Sequence, residues 1–212
     1  MERQRQRARA LLQAQVGEAD PAQVTSLVFT DVALLDEEEL SGAKFPGLTE
    51  LSMVAMKPPL KDFAFVASRF PALQKLVLSD NRIDAIPADF AMPNLVHLNL
   101  ANNAVASTHT VAELGKGCPQ LEVLDLFMNP AADDDQFSTV VFAAVPSLQV
   151  LNDHTADGKE VELDESDDDD EEDEEGSEED EDEEEEGGDD GAADEGAAGE
   201  PPAAKQHRTE EA

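Results

Sequence analysis

The sequence predicts an α/β solenoid: a curved parallel sheet on the concave side, short helices and turns on the convex side, a helical cap at each end, and a disordered acidic tail. Two observations predict it. An apolar residue followed by Pro, any residue and Leu recurs five times, with 25, 22, 26 and 27 residues between successive leucines. The charge is also divided sharply. Residues 1–159 hold 21 acidic and 12 basic side chains, a net of −9, whereas 160–212 hold 29 and 2, a net of −27, which together make the −36 of the 212-residue chain. The acidic segment has too little apolar surface to offset its ordering entropy, so the expectation is one folded domain of about 150 residues followed by a disordered tail.

The repeats justify the sheet. Phe45-Pro46-Gly47-Leu48, Phe70-Pro71-Ala72-Leu73, Met92-Pro93-Asn94-Leu95, Cys118-Pro119-Gln120-Leu121 and Val145-Pro146-Ser147-Leu148 each open an L-x-x-L-x-L pattern. Leu48, Leu51 and Met53 fill the first, then Leu73, Leu76 and Leu78, then Leu95, Leu98 and Leu100, then Leu121, Leu124 and Leu126. Val24, Leu27 and Phe29 fit one repeat earlier, and Leu148 with Leu151 fit a truncated last one. Asn81, Asn103 and Asn129 stand eight residues after the first Leu of their repeats, where a buried amide satisfies backbone groups of its own and the adjacent turn. This is a leucine-rich repeat signature; one repeat cannot bury its own leucines, and stacking gives a continuous core behind a parallel ladder.

The remaining elements follow from local pattern. Asp62–Phe70 puts Phe63, Val66 and Phe70 on one helical face, and Thr110-Val111-Ala112-Glu113 reads as a capping box opening a short convex helix. The repeat domain spans 24–133. Residues 1–23 form the N-terminal cap, with Ala8, Leu11, Leu12 and Val16 on one face, the arginines elsewhere, and Gly17 as the stop. The segment is rich in Arg but has no Ser and runs straight into the first repeat, so it reads as a cap rather than a transit peptide. Residues 134–159 form the C-terminal cap, with Phe137, Val140, Val141 and Ala144 on a closing helix, and 160–212 form the tail. Val32 and Met56 stand where the first two repeats would carry Asn.

Composition removes several classes. Cys118 is the single cysteine and cannot form an internal disulfide, so a reducing, intracellular setting is expected. The charge-free stretches are too short and too polar for a membrane span. Like charge repels phosphate, which argues against direct nucleic-acid binding. No catalytic motif, metal-ligand spacing or cofactor site is present; His97, His109, His154 and His207 are scattered and expected on the surface. Gly115-Lys116-Gly117 reads as a helix stop before Cys118-Pro119, and Asp153–Gly158 lacks the distal Glu of a calcium loop. The chain is expected to be a non-enzymatic monomer without cofactor.

Two surfaces remain as binding candidates. With the leucines inward, alternation turns Ser26, Val28 and Thr30, Glu50, Ser52 and Val54, Lys75, Val77 and Ser79, His97, Asn99 and Ala101, and Val123, Asp125 and Phe127 outward. Glu50, Lys75, His97, Asn99, Asp125 and Phe127 are the expected partner contacts on this face, with Phe127 the foremost because exposed aromatics often anchor interfaces. The second surface is the tail, where 24 of the 32 residues from Asp164 to Glu195 are acidic. Asp167, Asp168, Asp169, Asp170, Glu171, Glu172, Asp173, Glu174, Glu175, Glu183, Glu184, Glu185 and Glu186 make up its densest runs and are expected to capture basic proteins. Ser166 and Ser177, each followed three residues on by an Asp, have the context preferred by acidophilic kinases.

The segments Leu76-Val77-Leu78-Ser79-Asp80-Asn81-Arg82-Ile83, Leu95-Val96-His97-Leu98-Asn99-Leu100, Leu124-Asp125-Leu126-Phe127 and Val141-Phe142-Ala143-Ala144-Val145-Pro146-Ser147-Leu148, followed by the acidic run, resemble the acidic leucine-rich nuclear phosphoprotein 32 family. The resemblance implies a mainly nuclear protein, with shuttling to the cytoplasm, that binds histones as a chaperone or masks them from acetylation. It implies as an alternative an inhibitor of protein phosphatase 2A or an adaptor scaffold in messenger-RNA export. Three places depart from the family pattern. The Thr-Pro site at the first strand is Asp20-Pro21, the basic cluster after the tail is reduced to Lys205 and Arg208, and Asn152 replaces the Asp of the cap's Leu-Asp pair.

Overall fold

The computed structural model describes residues 2–161, whose seven strands form one sheet in chain order: β1 (Ser26–Thr30), β2 (Glu50–Val54), β3 (Lys75–Val77), β4 (His97–Asn99), β5 (Val123–Asp125), β6 (Val150–Leu151) and β7 (His154–Thr155). β1 to β6 are parallel, one strand per repeat, and only β7 runs antiparallel. The register follows the leucine pattern. Leu27, Leu51, Leu76, Leu98, Leu124 and Leu151 are consecutive Cα partners across the sheet, and all are buried. Leu48, Leu73, Leu95, Leu121 and Leu148 form a second buried row, and one apolar cluster runs without a break from Ala8 to Leu151. Each such side chain contributes about 1.5–3 kcal/mol by leaving water, which short three-residue strands need in place of long ladders.

Asparagine closes the turns as expected. The Asn129 side chain, 2% exposed, accepts from Val105 N and donates to the carbonyls of Leu100, Leu126 and Phe127. Asn103 makes the same set with Ile83 N, Leu78, Leu100 and Ala101. Asn81 reaches back to Met56 N, Leu60 N and the Met53 carbonyl, so it serves repeat two, whose own position holds the buried Met56. The residue before each of these positions is left-handed: Asp31, Ala55, Asp80, Asn102 and Met128 all have φ between +50° and +59°. They form a ridge along the C-terminal edge of the strands.

The convex side varies with repeat length. Repeat two carries α2 (Ala64–Arg69), repeat four carries α3 (Thr108–Ala112) and α4 (Leu114–Gly117), and repeat five carries α5 (Phe137–Ala144), while the 22-residue repeat from Leu73 to Leu95 has only turns. Phe63 and Phe90 meet edge to face at 4.8 Å across this side. The start of α3 differs from the sequence expectation. Ser107, not Thr110, is the cap: its Oγ accepts from Thr110 N, so the capping turn lies one helical turn earlier. The expected helix end before Cys118-Pro119 is present, since α4 closes at Gly117 with Cys118 as its C-cap, and the two glycines have a second role. A Cβ on Gly117 would sit 1.9 Å from the Phe90 carbonyl oxygen, and one on Gly115 would sit 2.1 Å from that of Ala144. Both glycines therefore permit close packing between repeats at the end of the helix.

Each end of the sheet is covered. α1 (Glu2–Val16) buries Ala8 and Leu12 and stops at Gly17, whose φ is +57°. The Gln15 amide donates to the Val28 carbonyl and accepts from Val28 N, both at 2.7 Å, so one side chain plays the part of a neighbouring strand on the free edge of β1. The arginines bridge α1 to the first repeat, Arg5 to Asp36, Arg7 to Asp31 and Arg9 to Glu39. At the far end Phe137 and Val141 of α5 are buried, whereas Val140 is exposed; the inward stripe continues through Val145 instead. Asn152 and Asp153, with φ of 49° and 61°, make the two-residue turn of the β6–β7 hairpin, and Val161 N closes the segment by donating to the Asp153 carbonyl. That hairpin is the structure of the segment from Asp153.

Candidate functional site

The exposed face of the sheet is arranged in rows set by the parallel register. Glu50, Lys75 and His97 are successive Cα partners, so an acid, a base and an imidazole stand side by side across β2, β3 and β4. Two residues further along the strands, Val28, Ser52, Val77, Asn99 and Asp125 form the next row. Asn99 Nδ2 donates to Asp125 Oδ2 at 3.2 Å and Asn99 Oδ1 accepts from Ala101 N, which fixes the amide and orients the carboxylate. Asp125 Oδ1 accepts from Phe127 N at 2.8 Å and holds the chain leaving β5. Ser26, Val28, Glu50, Ser52, Lys75, Val77 and Asn99 line a trough of about 360 Å³ over β1 to β4. The face alternates short apolar and polar side chains, a surface suited to lying along a polypeptide.

Phe127 is 61% exposed, yet it stands two residues beyond the end of β5, in the turn rather than on the strand as the alternation predicts. The reason is that the strands after β2 are only three residues long or shorter. Beside it Met128 is 65% exposed on the left-handed ridge. The ridge residues escaped the sequence reading, although the position before each repeat Asn was a signal available there. On the same ridge Asn102 Nδ2 donates to Asp80 Oδ1, and Asp31 is pinned by Lys57 at 3.1 Å and Arg7 at 3.5 Å, the Lys57 hydrogen bond holding its carboxyl below the usual carboxylate range.

The acidic residues from Asp167 to Glu175 and from Glu183 to Glu186, and Ser166 and Ser177, lie outside the described residues, as does His207. Of the other histidines, His109 and His154 are exposed and His97 is half-buried in the first row of the face. Cys118 is buried, and burial pushes its thiol above the ordinary range. Among the described residues no three His, Cys, Asp or Glu side chains group to hold a metal ion, and no helix is long and apolar enough to cross a membrane.

The stacked L-x-x-L-x-L strands, the asparagine turns and the open sheet face define a leucine-rich repeat protein, a class that serves as a scaffold for protein–protein contact. A family profile described as leucine rich repeats (two copies) matches residues 71–109. Within the class, the chain resembles the acidic leucine-rich nuclear phosphoprotein 32 family. It is 36% identical to family member A of Drosophila melanogaster over 100 residues, 47% of this chain and 38% of that protein. It is 34% identical to family member A of Drosophila pseudoobscura pseudoobscura over 163 residues, 76% of this chain and 56% of that protein. The chain thus spans about half the length, or less, of these relatives. Among solved structures, a chain of the Drosophila melanogaster SNF/U2A′ complex superposes with a TM-score of 0.50 at 20% identity, over 61% of this chain and 73% of that one. This likeness concerns the fold alone.

Proposed function

We propose that the protein is a non-enzymatic histone-binding chaperone or chromatin regulator of the nucleus, in which the open sheet face selects the partner and the acidic segment captures it electrostatically. The observation that carries this reading is the pairing, in one chain, of a well-anchored mixed face with a run of 24 acids in 32 residues. A polyanion of that density competes with nucleic acid for Lys- and Arg-rich proteins through many salt-screened contacts. A second contact on the same chain raises the effective concentration of the first. The names of the relatives, nuclear phosphoproteins, support the compartment.

The test is retention of purified core histones by the full chain and by residues 1–161 across a salt series. The reading expects strong retention by the full chain that falls steeply with salt, and weaker, selective retention by residues 1–161. Absence of binding by either would remove histones as the partner and leave the phosphatase or adaptor alternative.

A further inference from the structure

Large apolar side chains are rare on the described surface: Val28, Phe127, Met128 and Val140 alone are exposed. Two of the four are adjacent, at the end of β5. Met128 occupies a backbone conformation, φ +57°, that costs a β-carbon residue energy and that Asn, Asp or Gly adopt most readily. The ridge otherwise obeys this preference, with Asp31, Asp80 and Asn102 at equivalent turns and small Ala55 at the remaining one. A long apolar side chain there serves neither the turn nor the core. The chain segment that carries them is acidic. Residues 117–158 contain seven Asp or Glu and no Lys or Arg, and of these Asp133, Asp134, Asp135 and Asp153 are exposed.

We propose that Phe127 and Met128 form an apolar anchor on an acidic rim, which docks a basic polypeptide segment through an apolar side chain set among its lysines or arginines. The inference rests on the reading of the partner as a basic protein and adds a contact that charge alone does not supply. A second copy of this chain is a poor occupant, because each copy carries a net charge of −36. Aromatic and methionine side chains are enriched among interface anchors, and loss of such an anchor costs on the order of tenfold in affinity or more.

The experiment compares two labelled synthetic peptides of equal charge, one of lysines interspersed with leucines and the other with every leucine replaced by serine, binding to the full chain. Both meet the acidic run equally, so their affinity ratio isolates the anchor. The expected result is about a tenfold preference for the leucine peptide in the wild type, abolished in the Phe127→Ser, Met128→Asn double variant. Met128→Asn suits the left-handed turn, so its thermal midpoint, expected at or above the wild-type value, separates lost binding from lost folding. No preference in the wild type, or a preference kept in the double variant, overturns the proposal. So does a wild-type mass of two chains that falls to one in the variant, which would assign the anchor to self-association. Failure to bind histones with the peptide preference intact would sink the histone reading and leave the anchor standing.

Discussion

Asn129 shows how much one side chain does in a repeat. It satisfies an N–H of repeat four and carbonyls of repeats four and five while 98% removed from solvent, so Asn129→Ala strands several buried groups at once. A loss of about 2–4 kcal/mol is expected in urea unfolding, larger than for Asn103→Ala, whose site is only half-buried. These asparagines were legible in the sequence because their spacing from the leucines is fixed. The pairing of Glu39 was not, since nothing local links it to Arg9, 30 residues away. That hydrogen bond holds the Glu39 carboxyl below its ordinary value. An acid depressed in the folded state adds stability above its unfolded pKa and loses it as pH falls through the folded one. Glu39→Gln is therefore expected to lower the thermal midpoint slightly at pH 7, with the difference from wild type closing below about pH 4; a constant difference at all pH values would show that the ion pair is not its source.

At the scale of elements, the strands were readable and their surroundings less so. Leucine spacing placed every parallel strand because one buried face fixes the register. The strands are nevertheless too short to carry alternation as far as Phe127, and helix caps shifted where a Ser and a Thr competed for the same turn, as at Ser107 and Thr110. The helix end at Gly117 was legible, but the packing role of the convex glycines was not, because it depends on a neighbouring repeat that local pattern does not reveal. Gly117 faces the Phe90 carbonyl, so Gly117→Ala forces α4 away from repeat three, and a loss of about 1–3 kcal/mol in denaturant unfolding is expected. A neutral outcome would mean that the α4 backbone shifts freely. The free edge of β1 is covered not by a strand but by the amide of Gln15, which satisfies Val28 in both directions. Gln15→Ala is expected to cost about 1–2 kcal/mol in the same measurement.

For the whole molecule, division of labour follows from where each chemistry can reside. The apolar cluster from Ala8 to Leu151 uses the leucine rows for stability, which leaves the outward rows of the sheet available for recognition. The charge division was visible in composition alone, whereas the exact character of the face, an acid–base–imidazole row beside an Asn99–Asp125 pair and a Phe127–Met128 corner, needed the register. On the function proposed above, the sheet face, and not only the acidic segment, meets the partner. The most direct measurement is the change in methyl resonances of the full chain on adding purified core histones. Val28, Val54, Val77, Val123 and Met128 are expected to shift while convex Val66 and Val111 stay in place. Histone binding with all of these methyls unmoved would contradict that role and leave the repeats as a passive support for a polyanion.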